Sequence, residues 1–206
     1  MSNSEQPDDP SKSRRTRARI LDVAWDLLAE RGLDVSMNDI AEASGRTRQS
    51  LYQHFKSRGS LLMALVRRAD ERADIRSRFR DALARPDPAG RLDAFLTTWL
   101  DFVPVIHPVA SQLLRSRGRD AEAYAAWSDR MEELLDAFRQ LTRGLRASGA
   151  LADDWTAPRA AEFLWAASSV QQWELLAIDR GWGPALASKT LRRTLASAIL
   201  KPAART

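Results

Sequence analysis

Apolar residues recur along this 206-residue chain at the spacing of α-helices, and no segment alternates convincingly with the period of a β-strand. The periodicity is strongest over residues 120–147, where steps of four and three align six apolar side chains: Trp127, Met131, Leu134, Phe138, Leu141 and Leu145. A similar apolar face begins at Ile20 and ends at Gly32, a common C-terminal helix residue. The pattern predicts an all-α protein of about nine helices.

Capping and turn residues divide the stretch after the first helix into two short helices. Ser36 is predicted to cap the first, which ends near Ala43, and Thr47 to cap the second, which runs to about His54. Gly45 supplies the unusual backbone angles of the turn between them. The two helices can cross steeply because four packing positions suit a close approach: Ile40, Ala41, Leu51 and Tyr52. This spacing predicts a helix-turn-helix, whose second helix enters the major groove of DNA.

Proline and glycine residues divide the remaining chain into longer helices. These are predicted over about residues 60–83, 89–102, 109–117, 120–147, 154–179 and 185–200. Pro104 and Pro108 are expected to separate the second of these helices from the third. Proline removes a backbone N–H and clashes with the preceding turn, so it usually ends or kinks a helix.

Charge and composition narrow the classes of function. The chain has 32 basic and 27 acidic residues, and this mild excess of +5 permits a polyanionic partner without demanding one. The absence of cysteine excludes disulfides, zinc fingers and thiol catalysis. Residues 1–10 are polar and acidic rather than a signal peptide, and no apolar run approaches the roughly 20 residues of a membrane span. We therefore expect a soluble, cytoplasmic protein without a membrane partner.

Residues 17–65 resemble the N-terminal domain of the TetR family of transcriptional regulators. The matching segments are RIL-x-x-A, LLAERG, DIAEASG, SLYQHF and a basic residue followed by LL. The resemblance implies a three-helix DNA-binding domain over residues 14–62, after a disordered tail over residues 1–13. It also implies a helical bundle over residues 63–206 that binds a ligand and dimerises.

Ten residues are predicted to contact DNA. Arginine pairs well with guanine and glutamine with adenine, so the start and outer face of the second helix are expected to contact bases: Thr47, Arg48, Gln49, Ser50 and Gln53. Residues toward the helix end and beyond it suit phosphates: Tyr52, His54, Lys56 and Arg58. The resemblance implies the same role for Tyr52, His54 and Arg58, although the family usually has lysine at the last position. Arg46 replaces an apolar residue of the family and is expected to turn outward to DNA.

A basic run, SKSRRTRAR, precedes these helices over residues 11–19. It either follows DNA phosphates in a salt-sensitive manner or serves as a solubilising tail. Its position beside the DNA-binding helices favours weak phosphate contacts by Arg14, Arg15, Arg17 and Arg19.

Aromatic residues concentrate in the C-terminal part, which contains six of the seven tryptophans. Such residues form either a core or an apolar pocket between bundle helices, and the resemblance favours a pocket for a small lipophilic or aromatic effector. The candidate lining is Trp99, Phe102, His107, Trp127, Met131 and Trp165. For His107, within VIHPV, a structural role is the more common one for a lone histidine, and contact with a ligand is the alternative. No metal-ligand spacing, phosphate loop or nucleophile elbow is present, so we expect neither a metal, nor a cofactor, nor enzymatic activity.

The last two helices are apolar on more than one side, which suggests a partner surface. In the resembled family these helices form a four-helix dimer interface, and the candidate residues here are Trp173, Leu176, Leu191, Leu195 and Ile199. A two-fold homodimer would place its recognition helices about one DNA turn apart on a pseudo-palindromic operator.

The leading hypothesis is a ligand-responsive repressor that an effector releases from its operator. An alternative is an all-α small-molecule-binding protein without sequence-specific DNA binding. A helical enzyme is a third, weaker option, since no paired acid and base or metal constellation is visible.

Overall fold

The computed structural model describes residues 10–204, which form ten α-helices. These are α1 (Pro10–Arg31), α2 (Met37–Ala43), α3 (Arg48–His54), α4 (Arg58–Arg72), α5 (Ile75–Leu83), α6 (Pro88–Arg115), α7 (Ala121–Ala147), α8 (Ala157–Ala167), α9 (Val170–Glu174) and α10 (Pro184–Ile199). A π-helical turn over Leu175–Asp179 continues α9. The prediction of an all-α fold is confirmed: within residues 10–204 the β-type pairing is one isolated bridge between Leu151 and Leu200.

The end of the N-terminal tail and the boundary between the two domains both lie within helices, unlike the expected division. Residues 10–13 of the expected tail form the first turn of α1, and residues 1–9 lie outside the described part of the chain. The expected domain boundary after residue 62 falls inside α4, which packs against both α1 and α7. No helix within residues 10–204 is long and apolar enough to cross a lipid bilayer.

Side-chain caps set the ends of the short helices, as predicted. Ser36 Oγ accepts the Asp39 N–H at 3.2 Å, and Asp39 Oδ2 accepts the Ser36 N–H at 2.8 Å, which completes a capping box on α2. Thr47 Oγ1 caps α3 by accepting the Ser50 N–H at 3.1 Å. These bonds satisfy backbone donors that the first turn of a helix leaves unpaired.

A single apolar core runs through the described chain from Ile20 to Leu200. All six apolar residues that define the periodicity of α7 are buried in it. Around α7 lie α4, α6 and α8, so this helix occupies the centre of the C-terminal bundle. The strong periodicity in the sequence therefore reflects a helix that packs on several neighbours.

The predicted interruption at Pro104 and Pro108 is wrong, because α6 continues through both prolines. Pro104 has no N–H for the carbonyl of Leu100, and the Ser188 hydroxyl donates to that carbonyl instead, at 3.0 Å. Trp173 Nε1 donates to the same hydroxyl at 3.3 Å. Apolar residues on both sides of the prolines are buried, so packing and this substitute hydrogen bond offset the lost backbone bonds.

Two helices predicted to be continuous are broken. The helix expected over residues 60–83 divides at Asp74, whose φ of 49° lies in the left-handed region. The helix expected over residues 154–179 divides after Ser168, whose carbonyl accepts the indole N–H of Trp99 at 2.8 Å. Apolar periodicity continues across each break because both halves bury residues in the same core. Periodicity alone therefore did not reveal these breaks.

Candidate DNA-binding surface and regulatory site

Leu51 holds helix α3, the predicted recognition helix, against α2. Its side chain is fully buried in the apolar core. Ser44 ends α2, and Gly45 follows with a φ of +67°, a conformation that favours glycine. The Arg46 N–H then donates to the Ala41 carbonyl at 2.8 Å, the long-range bond of a Schellman turn. The turn and the buried anchor fix the direction of α3 relative to α2.

The expected base-contacting residues have different environments on this helix. Arg48, Gln49 and Gln53 have exposed side chains that carry donors and acceptors suited to base edges. Thr47 is also exposed, but its hydroxyl oxygen is occupied as the cap of α3. Ser50 is half-buried. Arg48, Gln49 and Gln53 therefore form the surface most suited to direct base contacts.

The expected phosphate contacts lie beside that surface. The guanidinium of Arg48 lies 5.6 Å from the ring centroid of Tyr52, which is exposed rather than a packing residue between the helices. Lys56 is exposed, and His54 is half-buried with its ring 6.5 Å from that of Phe55. Together with Arg48, these side chains place positive and hydrogen-bonding groups along one edge of α3.

Arg46 and the basic run of α1 extend the same side of the molecule. Arg46 is exposed, and its Nη2 donates to Thr16 Oγ1 of α1 at 3.4 Å; its contact with DNA stays a prediction. Arg17 of α1 lies over the ring of buried Phe55, with 4.8 Å between guanidinium and ring centroid. The four arginines of the run are exposed: Arg14, Arg15, Arg17 and Arg19. The run is thus part of a helix rather than a tail.

Arg58 occupies a different environment from the one its expected role implies. Its side chain is 22% exposed; Nη1 donates to Asp120 Oδ2 at the start of α7, and Nη2 donates to the Leu33 carbonyl at 2.9 Å. Partial burial opposes ionisation of Asp120, but hydrogen bonds from the Ala123 N–H and from Arg58 outweigh it and lower the pKa of this carboxyl. Arg58 therefore ties the start of α4 to α7, and its phosphate contact stays a prediction.

Two spaces adjoin the expected effector-binding residues. A cleft of about 490 Å³ between α6, α7 and the α8–α9 segment is lined by four of them: Trp99, Trp127, Met131 and Trp165. A small cavity of about 20 Å³, room for roughly one water molecule, is lined by residues that include Trp99, Phe102, Trp127 and Met131. The shared residues form a wall between the two spaces. The indole N–H groups of Trp99 and Trp165 donate to backbone carbonyls, so their rings offer apolar surface.

His107 lies apart from both spaces. Its ring centroid is 5.3 Å from that of Trp173, and its Nε2 is 3.6 Å from Glu174 Oε1 without forming a hydrogen bond. It was grouped with the candidate lining residues, but its ring lies beside α9. Within residues 10–204, no group of three or more His, Cys, Asp or Glu side chains could hold a metal ion.

A buried ion pair was missed by the sequence analysis. Arg130 Nε of α7 donates to Asp70 Oδ2 of α4, and their side chains are only 7% and 8% exposed. Burial raises the pKa of the Asp70 carboxyl, and Arg130 opposes that shift. A signal was available, because Arg130 stands on the apolar face of α7 between Trp127 and Leu134. A charge on an apolar stripe indicates either a buried partner or a binding site.

Salt bridges on the surface of α4 join it to both neighbours. Arg68 makes two hydrogen bonds to Asp22 of α1, at 2.8 and 3.0 Å, and Arg72 makes one at 3.1 Å. On the other side, Arg67 lies 3.1 Å from Asp129 and 3.4 Å from Glu133, both on α7. Helix α4 is thus attached to the DNA-binding helices and to the C-terminal bundle.

The expected dimer-interface residues need correction. Trp173, Leu195 and Ile199 are buried within their own chain, and only Leu176 and Leu191 are half-buried. The large apolar side chains exposed in this region are instead Leu175, Ile178, Trp182 and Leu186. Apolar stripes occur on two faces of these helices, and the sequence pattern identified mainly the stripe that faces the protomer's own core.

Comparison with known proteins identifies the family. Residues 20–65 match the family model described as bacterial regulatory proteins, tetR family. The repressor KstR2 of Rhodococcus jostii is 30% identical over 147 residues, which cover 69% of this chain and 69% of that protein.

Solved structures share the fold over nearly the whole chain. A TetR-family regulator from Agrobacterium tumefaciens has a TM-score of 0.70 at 22% identity, covering 92% of this chain and 100% of that one. The complex of SmeT with triclosan has a TM-score of 0.74 at 17% identity, covering 92% and 94%. Taken together with the helix-turn-helix geometry, these similarities show that the chain belongs to the TetR family of bacterial transcriptional regulators.

Proposed function

We propose that this protein is a homodimeric repressor that binds a pseudo-palindromic operator through α3 and leaves it when a small lipophilic or aromatic effector binds. The observation that supports this most is the exposed set of Arg48, Gln49 and Gln53 on a helix whose turn and buried anchor fix its direction. Arginine and glutamine side chains on a helix in the major groove can form hydrogen bonds with base edges.

Selection of genomic fragments with the purified protein supplies the operator for a direct test. Replacing Arg48 and Gln49 together by alanine is expected to weaken binding to the recovered fragment by about tenfold or more, because one bidentate base contact contributes about 1–3 kcal/mol. The matched control replaces Arg143 and Gln140, which are exposed on α7, and should bind as the wild type does. Equal binding by both double variants would contradict the proposed role of α3.

The cleft beside Trp99, Trp127, Met131 and Trp165 is the proposed effector site. Its volume of about 490 Å³ suits a small organic molecule, and four aromatic residues line it together with polar ones: Trp99, Tyr124, Trp127 and Trp165. SmeT, a protein of the same fold, has been solved in complex with triclosan, a chlorinated aromatic compound. Trp127 and Met131 line both the cleft and the small cavity, so rotation of either side chain would connect effector binding to rearrangement of the core.

Triclosan is a suitable first probe for this site. Trp165→Ala is expected to weaken triclosan binding, measured by calorimetry, by about tenfold because an aromatic wall is lost. Trp155→Ala, another half-buried tryptophan but outside the cleft, is the control. Triclosan binding without any recovered DNA motif would favour the alternative, a small-molecule-binding protein without sequence-specific DNA binding.

Dimerisation is proposed through the outer apolar surface of the α9–α10 region, comprising Leu175, Ile178, Trp182 and Leu186. Ile178→Lys is expected to shift the protein from dimer to monomer in sedimentation analysis, since it places a charge in the centre of that surface. Val105→Lys is the matched control, because Val105 is an exposed apolar residue on α6. A wild-type protein that sediments as a monomer would refute the proposed dimer.

A further inference from the structure

A second open space lies on the opposite side of α7 from the aromatic cleft. It is a groove of about 660 Å³ between α5 and α7, and the end of α4 reaches it through Asp70. Its apolar lining comprises Ile75, Phe79, Leu83, Leu134 and Ala137. Three arginines also line it: Arg76, Arg80 and Arg130. The groove thus combines an apolar floor with cationic groups, at a size that suits a small organic molecule.

Arg130 is the least exposed of these arginines. Its Nε pairs with Asp70, but neither Nη1 nor Nη2 donates a hydrogen bond to any residue in the range 10–204. The side chain is nevertheless 93% buried, given its 7% exposure. Because Arg130 also lines the groove, these unused N–H donors are available to an acceptor that binds there.

The other charges of the groove leave a cationic excess. Glu133 is 3.3 Å from Arg76 and also faces Arg67, and Asp70 is bound to Arg130. Arg80 is exposed and forms no ion pair within the described part of the chain. An anionic group between Arg80 and Arg130 would meet two guanidinium groups that still have free donors, whereas a cation there would be repelled.

We propose that the α5–α7 groove binds a small amphipathic organic acid. The apolar part of the acid lies on Phe79, Leu83 and Leu134, and its anionic group accepts hydrogen bonds from Arg130 and Arg80. The anionic group competes with Asp70 for Arg130, which loosens the attachment of α4 to α7. This last step rests on the proposed function, because it matters only if α4 transmits effector binding to the DNA-binding helices.

Two probes with one aromatic skeleton test the anion requirement. Anilinonaphthalene sulfonate carries the anionic group, and N-phenylnaphthylamine has the same rings without it. Fluorescence titration of the full chain is expected to show that the sulfonate binds at least about fivefold more tightly than the neutral amine, as charge-assisted hydrogen bonds predict. Equal affinity for the two probes would overturn the proposal.

Variants locate the site. Arg80→Gln is expected to weaken sulfonate binding about threefold to fivefold, the size of one exposed ion pair. Arg78→Gln, also exposed on α5 but outside the groove, should have no effect. Asp70→Leu combined with Arg130→Met removes the buried pair without stranding a charge, and is expected to weaken sulfonate binding by about tenfold or more. Wild-type affinity in both Arg80→Gln and the double variant would place the sulfonate elsewhere and overturn the proposal.

A DNA experiment separates this inference from the proposed function. The sulfonate is expected to release the recovered operator fragment from the wild type and not from the Asp70→Leu/Arg130→Met variant. Sulfonate binding in the groove without release would overturn the coupling through α4. Failure to recover any operator would refute the proposed function. The titrations of the free protein would still show whether the groove binds the sulfonate.

Discussion

Arg58 joins two parts of the chain that lie 62 positions apart in sequence. Its guanidinium contacts Asp120 at the start of α7 and the carbonyl of Leu33, which follows α1. A lysine could not make both contacts in the same way, because its ammonium is one point charge rather than a planar fork of donors. The difference from the family's usual lysine thus coincides with a structural contact between the DNA-binding helices and the bundle.

Alanine substitutions distinguish this contact from a phosphate contact. Arg58→Ala and Asp120→Ala are each expected to lower the free energy of unfolding, with a coupling of about 1 kcal/mol in a double-mutant cycle, because the two side chains are half-buried partners. Lys56→Ala, an exposed neighbour, should weaken DNA binding and leave stability unchanged. If Asp120→Ala has no effect on stability while Arg58→Ala weakens DNA binding, the residue acts on phosphate alone.

Helix α6 is the element whose continuity depends most on its neighbours. Two prolines interrupt its backbone hydrogen bonds, and the Ser188 hydroxyl of α10 replaces one donor at the Leu100 carbonyl. The same hydroxyl accepts the indole N–H of Trp173. One side chain of α10 therefore satisfies polar groups on both α6 and α9, so these three elements are stabilised together.

Ser188→Ala is expected to destabilise the protein by about 1–3 kcal/mol, because it leaves a buried carbonyl and a buried indole N–H unpaired. Urea denaturation measures this change. Ser111→Ala is the matched control: Ser111 is also buried, but its hydroxyl donates at 3.4 Å to a carbonyl in its own helix, so the cost should be smaller. Equal losses for the two variants would show that the α6–α10 bond has no special importance.

In the molecule as a whole, α4 packs against both the DNA-binding helices and the C-terminal bundle. Asp22 of α1 binds Arg68 and Arg72, while Arg130 of α7 binds Asp70. These contacts lie on one helix that begins directly after the helix-turn-helix. Movement of α7 is therefore expected to reach the recognition helices through α4, and by linkage DNA would weaken effector binding by the same factor as the effector weakens DNA binding.

The pH dependence of stability tests the contact between α1 and α4. Hydrogen bonds from Arg68 lower the pKa of Asp22 below its ordinary value of 3.8. A carboxyl whose pKa is lower in the folded than in the unfolded state stabilises the fold at pH values above its unfolded-state pKa. That stability is lost as the pH falls through its folded-state pKa. The free energy of unfolding should therefore decline below about pH 4, and Asp22→Asn should reduce the decline.

Urea titrations at a series of pH values measure this dependence. Burial raises the pKa of Asp70, so Asp70 changes the stability with pH in the opposite direction. Because Asp70 is the same in both proteins, the difference in the pH dependence between Asp22→Asn and the wild type gives the contribution of Asp22. Asp26→Asn, an exposed carboxylate on the same helix, is the control. A decline of equal size in wild type and Asp22→Asn would contradict the role of Asp22.

Residues that are close together in the sequence specify the local elements. Helical periodicity identified α7 and its buried face, and the caps at Ser36 and Thr47 were visible because a cap bonds to a backbone group three residues away. The spacing around Gly45 identified the helix-turn-helix for the same reason: the turn depends on residues close in sequence. The exposed face of α3, with Arg48 and Gln49, followed from that assignment.

Other features of the fold depend on partners that are distant in the sequence. The continuity of α6 requires Ser188, the position of Arg58 requires Asp120, and the burial of Arg130 requires Asp70 on another helix. The outer and inner apolar faces of the last helices also look alike in sequence, because both are apolar and only packing separates them. Contacts between residues about 60 or more positions apart leave no local pattern, which is why the groove and the attachments of α4 could not be predicted from sequence alone.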